Sequence, residues 1–244
     1  MAGEKLSEGD REMAERTLLR LAGGLLVASL LLTLIVTHEH PAGDDDNYPV
    51  IFAKYAKNND WVAVHLIQFA TVLLVLGGLL VLYRVLQLRG LVPVLAGIAA
   101  AAAIATAAAW AALQAIDGVA LKHAVDAWAG ASGAQKAIRY ADAQTVRWAE
   151  YGMNTYFRLL LGLAVALFGT AIARTGIVAR WLGWAAVIGG LAYMASGVAV
   201  AYAGFESGFE SAVGIVAQLG FLIFGVGLLV AGVRRKERAA SAVP

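Results

Sequence analysis

The 244-residue chain contains no cysteine, only four prolines and four histidines, and charged residues make up just 15% of it. Without cysteine there is no disulfide framework, no thiolate nucleophile and no sulfur-ligated metal. Soluble domains carry about 25% charged residues, so this scarcity excludes an ordinary soluble enzyme and a disordered chain. The net charge of +2 steers no polyanion, so nucleic acid is not a partner. No nucleophile elbow, phosphate loop or HExxH helix is present either.

What is abundant is apolar length. Hydrophobic residues form 60% of the chain, gathered in blocks of about 20 that lack acids and bases, the mark of transmembrane helices. Six spans result, at residues 17–37, 61–83, 92–116, 155–174, 181–203 and 212–233. Backbone groups in lipid find no water, and no period-2 alternation suggests a barrel. The expected fold is all-α, a polytopic bundle of six transmembrane helices forming one domain, 17–233. A polar segment, 1–16, leads into it; its mixed acids and bases read as a lead-in helix rather than a signal peptide. A basic tail, 234–244, ends the chain.

Twelve of the nineteen Lys and Arg fall in segments that share a side with the N-terminus. The positive-inside rule therefore places both termini in the cytoplasm and a polar cap outside, with the chain in a bacterial inner membrane. Polar residues concentrate in the outside connections. Segment 38–60 holds the acidic run 44–46 and an amphipathic stretch, 50–57, suited to lying in the membrane interface. Segment 117–154 reads as mostly helical with a break near 130–133. Trp61, Trp128, Trp148, Trp181 and Trp184 fall near the boundaries, as an aromatic belt would place them. The third span is almost all small between Ala99 and Ala112, which suggests a central position in the bundle. A weak similarity between the hairpins at Arg89-Gly90 and Arg174–Gly176, 86 residues apart, hints at a duplication of the kind seen in transporters.

All four histidines fall on the outer side in this topology. His38-Glu39-His40 ends the first span just before Pro41, which stops the helix. His65 lies one turn into the second span, and His123 pairs by spacing with Asp126 beyond the third. Antiparallel neighbours bring these ends to one layer, where His38 or His40, His65 and His123 could share a metal with Asp117 or Asp126. Zinc, copper or iron suits imidazole with carboxylate. Haem is less favoured, since only His65 lies at a suitable depth. The plainer alternative is that these histidines sit among headgroups or cap helix ends.

Arg147, Glu150, Asn154 and Arg158 form one helical stripe, with Glu150 expected to pair between the two arginines. Asp117, costly at a bilayer edge unless paired, is expected to find Arg147, Arg158 or a metal. Ser29, Thr33 and Thr37 make a mild polar stripe on the first span.

The stretches Asp117-Gly118-Val119-Ala120-Leu121-Lys122, Asp126-Ala127-Trp128, Val146-Arg147-Trp148 and Trp181-Leu182-Gly183-Trp184 resemble a group of uncharacterised bacterial multi-pass membrane proteins over roughly residues 110–205. That resemblance implies the topology and supplies no site. The favoured reading is a non-enzymatic accessory or small-ligand-binding membrane protein, with a membrane-protein partner or a second copy of itself beside the bilayer. A metal-dependent protein, hydrolase or oxidoreductase, is the alternative, and a small transporter a third.

Overall fold

The structure, a computed structural model, describes residues 7–41 and 47–240. The acidic run 44–46 and both chain ends lie outside the described residues. Everything described is helix or short connection: α1 (Glu8–His38), α2 (Tyr48–Lys57), α3 (Trp61–Leu88), α4 (Pro93–Gln114), a π-helical segment (Ala115–Leu121), α5 (Lys122–Gly130), α6 (Gly133–Thr175), α7 (Arg180–Ala203) and α8 (Gly208–Ala240). Six of these stretches are long and apolar enough to cross a membrane, counting Pro93–Gly130 as one. The chain is therefore an all-α, multi-pass membrane protein.

The helix ends obey local chemistry. Ser7 Oγ accepts the Asp10 N–H at 3.2 Å, and Glu8 and Asp10 complement the N-terminal dipole of α1. Pro93 opens α4, where its missing N–H costs nothing. The hairpins α3–α4 and α6–α7 each turn near a left-handed glycine, Gly90 (φ +61°) and Gly176 (φ +63°).

The spans pack in ring order α1, α3, α4, α6, α7, α8 and back to α1. The α6–α7 seam is the most extensive, and it is tight: a Cβ on Gly169 would stand 2.6 Å from the Gly183 carbonyl oxygen, so these backbones touch. The Ala-rich α4 is not the centre, contrary to expectation; α6 is the most buried span. Composition showed that α4 was small without showing which face was covered. Ala99, Ala100, Ala102 and Ala103 are buried, whereas Ile98 and Ile104 look outward.

At the end carrying the termini, Arg89 grips Glu15 with two hydrogen bonds of 2.8 and 3.1 Å, tying α3 to α1. The opposite end is capped. With 43 residues α6 is ~65 Å long, about twice a hydrocarbon core. Its N-terminal half stands beyond the bundle and packs with α2, the π segment and α5 around Ile51, Phe52, Tyr55, Trp61, Leu121, Val125 and Ala143. The 50–57 stretch thus buries its apolar face in protein rather than in the membrane interface. Lys122 fixes it there, its Nζ donating to the Tyr55 and Ala56 carbonyls at 3.2 and 2.9 Å, where a helix C-terminus favours a cation. Trp61 belongs to this core and is fully buried, while Trp148, Trp181 and Trp184 are exposed like belt residues.

Candidate metal centre

The capped end brings together the C-terminus of α1, the start of α3 and the π segment. One potential ligand atom from each of His40, His65 and Asp117 lies within 4.8 Å of the other two. Three local features make this meeting. Pro41 ends α1, so His40 lies past the last helical turn and its ring turns inward against Trp61 and His65, with centroids 4.8 and 5.4 Å away. His65 sits one turn into α3 and is buried. Asp117 lies in the π segment, whose wider winding re-aims side chains relative to a continuous α-helix. Gly118 completes the fit, since a Cβ there would stand 2.6 Å from His65 Cβ.

The hydrogen bonds fix the chemistry. His65 Nδ1 is 2.7 Å from the Trp61 carbonyl oxygen. A carbonyl only accepts, so Nδ1 carries the hydrogen and Nε2 of the neutral ring holds a lone pair. That Nε2 is 3.1 Å from Asp117 Oδ2, another base. Two bases share such a contact only through a cation, either a proton or a metal. His40 Nδ1 contacts the Pro41 carbonyl oxygen at 3.2 Å, which again leaves Nε2 as the basic nitrogen. A ring N–H held by a backbone carbonyl is the usual support of a metal-ligating histidine. Burial pushes the His40 imidazole below its ordinary pKa, opposed by the neighbouring Asp117 carboxylate, and so favours its neutral form. Asp117 itself is anchored by its backbone, whose carbonyl accepts the Trp61 indole N–H at 3.0 Å. Its Oδ1 is buried and has no hydrogen-bond partner among the described residues.

The remaining candidates lie elsewhere. His38, the last residue of α1, and His123 on α5 are both exposed. Asp126 is exposed and paired with Lys122 at 2.7 Å. Arg147 and Glu150 form a buried pair. Arg158 does not share Glu150; it bonds Asn154 Oδ1 at 2.7 Å and reaches Ser196 and Glu210. Glu210 lies in the first turn of α8, a partner no local spacing could reveal. Asp117 pairs with neither arginine; His65 takes that place. The Arg147 guanidinium lies among the Tyr55, Tyr151 and Phe205 rings, 4.8–5.6 Å from their centroids, and its Nε and Nη2 have no hydrogen-bond partner among the described residues. Tyr55, Trp61 and Arg147 therefore surround the centre. Arg147 was visible in the sequence through its stripe with Glu150, and Trp61 through its i, i+4 spacing to His65, whereas nothing local marked Tyr55.

Fold and site together define a polytopic membrane helix bundle with a His-His-Asp cluster beneath a helical cap. The chain belongs to the family described as Domain of unknown function (DUF4386), which matches residues 21–232. No curated protein and no solved structure matches it.

Proposed function

We propose that this protein is metal-dependent, with His40, His65 and Asp117 holding one Zn²⁺ or Fe²⁺ ion at the capped end of the bundle. The observation that carries this is the His65–Asp117 contact, in which the basic nitrogen of a tautomer-fixed imidazole meets a carboxylate. Ligands about 2.0–2.1 Å from a metal stand roughly 3–3.5 Å from one another, and the 3.1 Å contact is at that spacing. The widest separation, 4.8 Å, closes by a modest shift of His40, which is the member beyond its helix end.

Three protein ligands leave a coordination position open, as catalytic rather than structural sites do. In that position a metal polarises an oxygen or lowers the pKa of a bound water. The unpartnered nitrogens of Arg147 supply a nearby cation for an anionic oxygen. These features favour a metal-dependent enzyme over the accessory role. The Lys and Arg distribution supports cytoplasmic termini and hence a capped end on the outer face.

The test is a Co²⁺ titration of chelator-stripped protein in detergent, read by visible absorption. A saturable d–d band at about one equivalent, displaced by Zn²⁺ and lost in His65→Ala, is expected. Absence of any saturable band would leave the contact as a shared proton and return the accessory reading to first place.

A further inference from the structure

The ring of spans encloses a second feature, separate from the histidines. A cavity of about 280 Å³ lies between α1, α3, α6 and α8, with Trp110 of α4 and Tyr193 of α7 completing its wall. An apolar cavity of ~150 Å³ holds benzene, so this one has room for roughly a dozen carbon atoms. Along α1 its lining runs from Leu26 to Thr37, a rise of ~16 Å.

Its lining is graded. Towards the middle of the bundle it is hydrocarbon: Leu26, Leu79, Val165 and Phe224. Towards the capped end it gains the side chains of Thr37, Gln68 and Gln218, none of which makes a side-chain hydrogen bond among the described residues. No charged residue lines it among the described residues. Neutral polar groups without partners are costly at membrane depth, so they mark a place where something polar and uncharged belongs.

The cavity also has a door. Near the termini, α1 and α8 are pressed together: a Cβ on Gly232 would stand 2.6 Å from Arg20 Cγ, and one on Gly225 3.3 Å from Leu26 Cβ. Beyond that seam, the exposed residues among those lining the cavity are Leu34, Thr37 and Gln218, all on these two helices. The cavity therefore opens sideways between α1 and α8, onto hydrocarbon when the protein is in a bilayer. A chain from the bilayer that enters a cavity open to lipid gains dispersion contacts with its walls.

We infer that this cavity binds one acyl chain of a membrane lipid, which enters between α1 and α8. The chain's methyl end faces Leu79 and Phe224, and its ester oxygens meet Gln68, Thr37 and Gln218. The polar end of the cavity, at Thr37 and Gln68, is one helical turn from His40 and His65, but the cavity would bind a chain whether or not the cluster holds a metal.

The test uses the full chain in nanodiscs of phosphatidylcholine bearing a diazirine within one acyl chain. After irradiation, mapped adducts are expected on Leu30, Val72 or Phe221 in addition to lipid-facing positions such as Leu73 and Ile104. Thr33→Phe and Ala217→Phe, which fill the cavity from different helices, should each reduce the cavity adducts at least tenfold. Val226→Phe, on the exposed face of α8, should leave them unchanged. Should one filling variant fail to fold, competition on the wild-type protein decides. Unlabelled monolaurin, an uncharged ester of a twelve-carbon chain, should displace the cavity adducts; cavity adducts that persist at saturating competitor would overturn the site. Chelator-stripped protein should label equally, which separates this site from the metal. Adducts confined to lipid-facing positions, or equal labelling in both filled variants, would overturn it.

Discussion

His65 turns its Nε2 towards Asp117 Oδ2 at 3.1 Å while its Nδ1 rests 2.7 Å from the Trp61 carbonyl oxygen, so the nitrogen facing the carboxylate is the one without a fixed hydrogen. Trp61 sets both sides of this contact: its carbonyl chooses the tautomer, and its indole N–H holds the Asp117 backbone. One fully buried aromatic residue thereby joins α3 to the π segment and aims two bases at each other. A cation resolves that opposition, and a proton and a metal respond differently to mutation.

Asp117→Asn separates the two. An asparagine amide donates to the Nε2 lone pair and makes a neutral hydrogen bond where two bases stood. Chelator should therefore lower the melting temperature of wild type and leave that of Asp117→Asn unchanged, because the neutral hydrogen bond needs no cation. The variant's metal affinity should fall tenfold or more for loss of the anionic ligand. If His65 and Asp117 were instead a lasting imidazolium–carboxylate pair, the same change would break a buried ion pair and cost about 3–5 kcal/mol. Thermal unfolding in detergent, with and without chelator, reads both quantities.

Gly118→Ala probes the packing beneath the centre. The added Cβ would stand 2.6 Å from His65 Cβ, so α3 or the π segment must move. Overpacking of this kind costs about 1–3 kcal/mol, and metal retention should fall with it. Gly152→Ala, where nothing lies within 4 Å, is the control and should be neutral or slightly stabilising. Equal melting temperatures for the two variants would show that Gly118 is not a close contact.

Glu150→Ala strands Arg147, whose side chain is only 3% exposed. Removing one member of a buried pair costs about 3–5 kcal/mol, while an exposed pair contributes about 0–1. Asp142, half-exposed and bonded to Arg139 at 3.1 Å, is the comparison. Glu150→Ala should lower the melting temperature well beyond Asp142→Ala; similar small shifts would mean that solvent reaches Arg147.

The membrane class was readable because lipid imposes one simple rule: long uncharged stretches must be helices, and six of them stand out in this chain. The centre was only half readable. His40, His65 and Asp117 were among the candidates, but so were His38, His123 and Asp126, and position along the spans marked only His123 as the weakest of them. Choosing His40 over His38 depends on where α1 stops and how Pro41 bends the exit. Choosing Asp117 over Asp126 depends on the π segment, because each extra residue rotates the remainder of the helix by ~100° and no local pattern announces it. Lys122, four residues before Asp126, pairs with that carboxylate at 2.7 Å. The Arg158–Glu210 pair was invisible because it spans 52 residues and two helix ends.

Orientation is tested simply, since the chain has no cysteine of its own. Single cysteines at Ser132 and Ser207, in connections at the capped end, should react with an impermeant maleimide in intact cells. Ala179→Cys, in the α6–α7 connection at the opposite end, should react only after permeabilisation. The reverse pattern would turn the protein over and put the capped end in the cytoplasm.

The most direct measurement is the metal content of the purified chain. Protein expressed with zinc and iron in the medium and purified without chelator is analysed by plasma mass spectrometry, beside single-residue variants. About one ion per chain is predicted for wild type and for His38→Ala, His123→Ala and Asp126→Ala, with less than a tenth of that in His65→Ala and Asp117→Ala. Wild type without stoichiometric metal, or His65→Ala retaining as much as wild type, would contradict the metal centre.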